Sequence, residues 1–148
     1  MAVGNVNSLF RSAARELLDF DVDATTTGAA VGWRDLSNYG RFAVGVKPSV
    51  FGGAGVTRVK ILASAASDGS SPEVIADSGV VVGDSINDQV WLETSAEKIR
   101  QVGEETGKAL RYVSALVIHA HAGDESVVYY ERAQPRHDAD GLTATLIT

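Results

Sequence analysis

"RYVSALVIHAHAGDESVVYYERAQPRH", residues 111–137, decides the fold. Its first half alternates. Arg111, Val113, Ala115, Val117, His119 and His121 fall on one side of an extended chain, and Tyr112, Leu116, Ile118 and Ala120 on the other. That period of two belongs to a strand. "AGDE" reverses the chain, with Gly123 and Asp124 suited to a hairpin turn, and "SVVYYERA" is a second strand. A loop of two or four residues sets His121 opposite Ser126 and His119 opposite Val128, with Tyr130 next on that face. A three-residue loop sets them opposite Val127 and Tyr129. Neither register brings a carboxylate beside the histidines. Two histidines at i and i+2 can ligate a metal, but a site needs a third ligand and oriented partners. His137, in the following loop, is the one further imidazole in the stretch. The expectation is a corner with two histidines at its wet end, with no metal and no cofactor.

The rest of the chain reads in the same period. "DFDVDATTT" alternates Asp19, Asp21 and Asp23 with Phe20, Val22 and Ala24. The aspartates imitate the start of a calcium loop. Ala24 stands where the glycine belongs, and Ala30 where the bidentate glutamate belongs, so calcium is not expected. "GWRDLSNYGRFAVGVKP" leads from Trp33, Leu36 and Tyr39 into a strand over Arg41–Val46, which Pro48 stops. "VTRVKILAS", "EVIADSGVVVGDS", "QVWLET" and "GLTATLIT" supply further strands, with "ASDGSSP" as a turn. Thr94 and Glu97 form a capping box before a brief helical turn, "SAEKIRQV", and "GEETG" reads as a loop. About eight short strands with turn chemistry between them predict a mainly β, single-domain antiparallel β-sandwich of jelly-roll type.

"NSLFRSAARELL" breaks the pattern. Leu9, Phe10, Ala13, Ala14, Leu17 and Leu18 have helical spacing, with Asn7 or Ser8 as cap. The expected organisation is a short N-terminal amphipathic helix or arm over residues 1–18, followed by the sandwich over 19–148. A helix this short is marginal alone, so its stripe must dock, and a neighbouring subunit is one place for it.

Composition removes whole classes of function. The chain has 148 residues, one domain's length, and no cysteine, which excludes disulfides, thiolate metal sites and a cysteine nucleophile. Thirteen basic against nineteen acidic residues give a net charge of -6, and no Lys/Arg run offers phosphates a surface, so no nucleic-acid partner is expected. The apolar runs are far shorter than the ~20 residues a membrane helix needs, so no membrane partner is expected either. Arg11, Arg15 and Glu16 interrupt any signal-type apolar stretch at the N-terminus. There is no G-x-S-x-G elbow, and "GGAG" at 52–55 lacks the spacing and the βαβ setting of a phosphate cradle. No catalytic residue is assigned and no enzyme activity is expected.

What remains is binding. The strand over 111–121 is apolar on both faces, whereas a two-sheet sandwich covers one, so a neighbouring subunit is a candidate cover for the other. The candidate partner-binding residues are Leu9, Phe10, Leu17, Leu18, Val113, Val117, Tyr129 and Tyr130. "YYER", Trp33 and Trp91 are also the makings of a sugar-stacking platform, although tryptophans serve more often as core or interface anchors.

The layout resembles small β-sandwich virion proteins of tailed bacteriophages. A "W-x-D-L-x-x-Y" approach to a central strand (Trp33, Asp35, Leu36, Tyr39) is followed by a "D-G-S-S-P" turn (Asp68–Pro72), a late "RYV" strand (Arg111–Val113) and a "PRH" exit (Pro135–His137). The resemblance covers about residues 31–140 and leaves the N-terminal segment outside. It implies a capsid decoration (cement) protein on the outer surface of the virion, with the major capsid protein as partner and a small homo-oligomer as the unit. A head–tail connector or tail component, and a carbohydrate-binding sandwich module, are the alternative expectations.

Overall fold

Alternation of buried and solvent-facing residues becomes strand after strand. The computed structural model describes residues 14–23, 29–50, 56–81, 87–121 and 123–135. Among them are strands β1 (Ala14–Asp23), β2 (Ala29–Asp35), β3 (Tyr39–Val50), β4 (Val56–Ser64), β5 (Glu73–Asp77), β6 (Val90–Ser95), β7 (Tyr112–His119) and β8 (Glu125–Pro135), with helix α1 (Ala96–Thr106) between β6 and β7. The strands form two four-stranded antiparallel sheets, ordered β1-β8-β3-β6 and β2-β7-β4-β5. The first strand pairs with the eighth, the second with the seventh, the third with the sixth and the fourth with the fifth. That nesting is the winding of a jelly roll, as expected.

The inner faces supply the core: Phe42, Val44 and Val46 from β3, Val128 and Tyr130 from β8, Val59, Ile61 and Ala63 from β4, and Val113, Ala115 and Val117 from β7. Each is at most 1% exposed. Burying a side chain of the valine, isoleucine or phenylalanine kind favours folding by about 1.5–3 kcal/mol. Leu36 and Ile99 close the core at one end.

Several expectations change. β7 and β8 do not form a hairpin. They lie in opposite sheets, so residues 120–124 carry the chain across the sandwich. β3 runs through Pro48 because the β6 ladder has ended at Val46, and Pro48 is matched only to Ser126 of β8. A missing N–H is tolerated where one side of the strand is open. The helix is capped by Ser95, whose hydroxyl accepts from the Lys98 N–H, rather than by Thr94. It continues through Gly103 to a left-handed Gly107. Gly103 is kept small by the returning chain: a Cβ there would stand 2.5 Å from the Lys108 carbonyl oxygen. Of the expected N-terminal helix, residues 14–18 belong instead to β1, hydrogen-bonded to the edge of β8. Sheet pairing has overridden local helical spacing there. Residues 1–13, and the strand expected in "GLTATLIT", lie outside the described residues.

Candidate functional site

The histidine stretch is a corner, dry at His119 and wet at His121. His119 ends β7 on the inner face and is 2% exposed. Its Nε2 lies 2.7 Å from Ser126 Oγ at the start of β8, while its Nδ1 is buried with no hydrogen-bond partner among the described residues. Asp124 is fully buried beside it and accepts from the His121 backbone N–H at 3.1 Å. Burial pushes the His119 pKa below its ordinary value, and the nearby Asp124 carboxylate opposes that shift. His121 is exposed, and its Nδ1 accepts from the Gly123 N–H. One imidazole points into the protein and the other closes a surface turn. Among the described residues no group of three or more His, Asp or Glu side chains could hold a metal ion. The expectation that both histidines sit at a wet end is corrected, and so is the absence of a neighbouring carboxylate.

The "W-x-D-L-x-x-Y" residues form a second corner, where the chain crosses from β2 in one sheet to β3 in the other. The Asp35 carboxylate accepts from Arg111 Nε and an Arg111 terminal nitrogen at 3.0 and 2.7 Å, and from the Ser37 N–H and hydroxyl at 2.9 and 2.6 Å. The Arg111 guanidinium foremost, with Ser37, holds that carboxyl well below the usual carboxylate range. Arg132 donates to the Asp35 carbonyl and lies over the Tyr39 ring, 4.9 Å from its centroid. Trp33 fills the space beside Gly69, where a Cβ would meet the indole at 1.9 Å. These residues tie β2, β7 and β8 together.

Tyr130 joins the sheets through the core. It is fully buried and meets Phe42 edge to face, with ring centroids 5.0 Å apart. The β2–β7 ladder is irregular between Val31 and Arg34, where Gly32 takes a left-handed φ of 54°. The Tyr130 hydroxyl enters that gap. It accepts from the Ala115 N–H at 2.7 Å, donates to the Gly32 carbonyl at 3.0 Å and lies 3.0 Å from Ser114 Oγ.

The proposed partner-binding residues therefore separate. Val113, Val117 and Tyr130 are inside the protein's own core, at 0–1% exposure, and no partner can touch them. Alternation had placed them on one face without saying which sheet lay opposite. Leu116 and Ile118, on the other face of β7, are half-buried within the chain. Leu17 and Leu18 are positions of β1, and Leu9 and Phe10 lie outside the described residues. Tyr129 is half-buried on the outer face of the first sheet.

Two surface features escaped the sequence reading. One is a groove of about 650 Å³ between α1, the segment after it and the β2–β3 corner. Its lining includes Leu36, Ala96, Ile99 and Leu110, with the Arg100–Glu104 ion pair and Arg111 at its margin. The helix period in "AEKIRQV" marks Ile99 and Val102 as facing inward, but nothing in the sequence shows the gap beside them. The other is a smaller groove of about 260 Å³ on the outer face of the first sheet, lined by Gly45, Val46, Lys47, Gln89, Trp91 and Tyr129. The sequence shows Trp91 as an aromatic, but its pairing with Gly45 requires the strand order.

No family model matches the chain, and no curated protein matches it. Among solved structures it is similar to the SPBc2 prophage-derived protein YomS, at 8% identity and a TM-score of 0.47, over 82% of this chain and 93% of that one. It is similar to VP2 of the infectious bursal disease virus subviral particle, at 10% identity and a TM-score of 0.45, over 88% of this chain and 34% of that one. It is also similar to a carbohydrate-binding module of endoglucanase Cel5A from Eubacterium cellulosolvens, at 13% identity and a TM-score of 0.41, over 81% of this chain and 98% of that one. These are likenesses of chain path. Jelly rolls serve in capsids and lectins alike, and the fold does not choose between them.

Proposed function

We propose that this chain is a non-enzymatic structural protein of a tailed-phage virion. In this reading it decorates the outer surface of the capsid and bridges major capsid protein subunits as a small homo-oligomer. The observation that carries the binding half of this reading is the apolar groove beside α1. Its floor of Leu36, Ile99 and Leu110 suits apolar side chains of a protein partner, and its charged margin suits a polar rim around them. The layout of the sequence supports the virion half.

Register supports an arm at the same end of the molecule. Ala14 pairs with Arg132, and Tyr39 with Pro135, so the chain enters β1 at the end where β3 begins and the β2–β3 corner lies. Leu9 and Phe10, upstream of Ala14, are then the arm's contacts with a neighbouring subunit. A net charge of -6 suits the outside of a shell whose interior faces DNA phosphates.

The test compares particles with and without the protein under heat and low salt. Protection by the bound protein is expected, because a ligand that binds the assembled lattice better than free subunits stabilises it by mass action. Ala109→Glu, at the groove, should weaken binding to the particles. Equal particle stability, or a location confined to the portal vertex or tail, refutes decoration and favours the connector alternative.

A further inference from the structure

We propose that the outer face of the β1-β8-β3-β6 sheet is a glycan-binding platform, on which Trp91 and Tyr129 take the pyranose rings of a neutral polysaccharide across Gly45. The row is set by register. Gly45 of β3 is matched to Trp91 of β6 on one side and to Tyr129 of β8 on the other. Neighbouring strands lie about 4.8 Å apart, so the two aromatic residues stem from backbones roughly 10 Å apart with a glycine between them. The indole lies over that glycine, so both aromatics line one groove above it.

The glycine is needed for the shape. A Cβ on Gly45 would stand 2.6 Å from two atoms of the Trp91 benzo ring, so any other residue would displace the indole. Glycine within a strand is destabilising relative to alanine, because it loses more backbone freedom on folding. An aromatic lying over a strand glycine offsets part of that cost, and this packing alone accounts for the indole's resting place. It does not account for the second aromatic in the same row, nor for the polar groups that line the groove.

Those groups favour an amphipathic ring as occupant. Trp91 keeps 45% exposure, and its indole N–H donates to Gln89 Oε1 at 3.1 Å, which fixes the ring's orientation. Lys47 and Gln89 line the groove, and the Arg41–Glu93 ion pair, with a 2.7 Å contact, stands further along the same face. A pyranose offers apolar C–H faces to an aromatic ring and hydroxyls to ammonium, amide and carboxylate groups at its edge. An apolar protein patch seated here would bury Lys47, Gln89 and Glu93 without replacing their hydrogen bonds to water. Nucleic-acid bases stack on aromatics too, but the groove lining offers their phosphates a single cation, Lys47, in a chain of net charge -6.

The experiment is a titration of the full chain with cellohexaose, xylohexaose, chitohexaose and mannohexaose, followed by calorimetry and tryptophan fluorescence. Binding of at least one is expected at micromolar to millimolar Kd. Trp91→Ala and Tyr129→Ala should each weaken it about tenfold or more, the scale of one lost aromatic stack. Gly45→Val should weaken it through the displaced indole, whereas Trp33→Phe, beside Gly69 in the other sheet, should leave it unchanged. Thermal melting of each variant separates lost binding from lost folding, and Tyr129→Ala decides if Trp91→Ala does not fold. The absence of binding to all four at about 10 mM overturns the proposal. Binding that survives both Trp91→Ala and Tyr129→Ala overturns it as well.

Discussion

Tyr130→Phe tests whether one hydroxyl holds the two sheets in register. The substitution keeps the ring, and with it the edge-to-face contact with Phe42 at 5.0 Å. It removes the acceptor of the Ala115 N–H, in a residue with 0% exposure, and the donor to the Gly32 carbonyl. Gly32 is exposed, so water can replace the second bond. The Ala115 amide has no such recourse, and an orphaned buried donor costs about 1–3 kcal/mol. Ser114 Oγ also loses a 3.0 Å neighbour. The expected loss is about 1.5–3 kcal/mol. At about 2–4 °C per kcal/mol for a domain of this size, the Tm should fall roughly 3–12 °C. Denaturant unfolding should show a lower midpoint at unchanged slope. Hydrogen exchange at Ala115 should lose protection relative to its neighbours in β7. Tyr129→Phe, on the outer face, should stay within about 0.5 kcal/mol. A Tm for Tyr130→Phe within about 1 °C of the parent, or unchanged protection at Ala115, would refute the assignment of that hydroxyl to the ladder.

Two further outcomes follow from the corners and the helix. The lowered His119 pKa means that the unfolded chain binds a proton more readily than the folded one. Stability is therefore full above the ordinary histidine value of 6.5 and falls as pH drops below it. Melting curves across pH 8 to 5 should show this decline in the parent and a flatter profile in His119→Gln. The depressed Asp35 and Asp77 carboxyls act in a separate window, below their ordinary 3.8, and do not confound it. Gly103→Ala should destabilise by about 1–3 kcal/mol, because the methyl would press on the Lys108 carbonyl, although alanine normally favours a helix interior over glycine by about 1 kcal/mol. A stabilised variant, by thermal melting, would show that the returning chain yields.

The inward face of nearly every central strand was legible, and the neighbours of those strands were not. Val113, Ala115 and Val117 alternate as a core face must, and they are core. But alternation fixes only which side of a strand is apolar. Two successive strands that each carry one apolar face can pair edge to edge in one sheet or face each other across the core, and the sequence pattern is the same. β7 and β8 take the second course, over a connection long enough to span the ~10 Å between sheets. Once they do, His119 moves from a rim to the interior and gains Ser126 as partner. The same limit hid both grooves. Gly45, Trp91 and Tyr129 meet only when β6, β3 and β8 are known to be adjacent, and they are far apart in the chain. Gly103 misled for a local reason: a glycine late in a helical pattern signals a stop, yet here it is an interior position kept small by packing.

The placement of β1 sharpens the arm hypothesis. If residues 1–18 were all arm, deleting them would leave the sandwich intact. Yet Ala14, Arg15, Glu16 and Leu17 are matched to Arg132, Glu131, Tyr130 and Tyr129. Deleting 1–18 therefore strips half of an edge strand and uncovers part of the β8 ladder. At about 1 kcal/mol net per hydrogen bond, several such bonds amount to roughly 2–4 kcal/mol. Deleting 1–13 stops short of the strand. It keeps every described ladder pair of β1, so the Tm should stay within about 1–2 °C. The shorter deletion is thus the clean test of docking. A truncated chain that folds normally but no longer self-associates or binds particles assigns Leu9 and Phe10 to a partner. A truncated chain that unfolds assigns them to the sandwich itself. One that folds and binds as before leaves the arm with no part in assembly, and the apolar groove beside α1 then carries the contact alone.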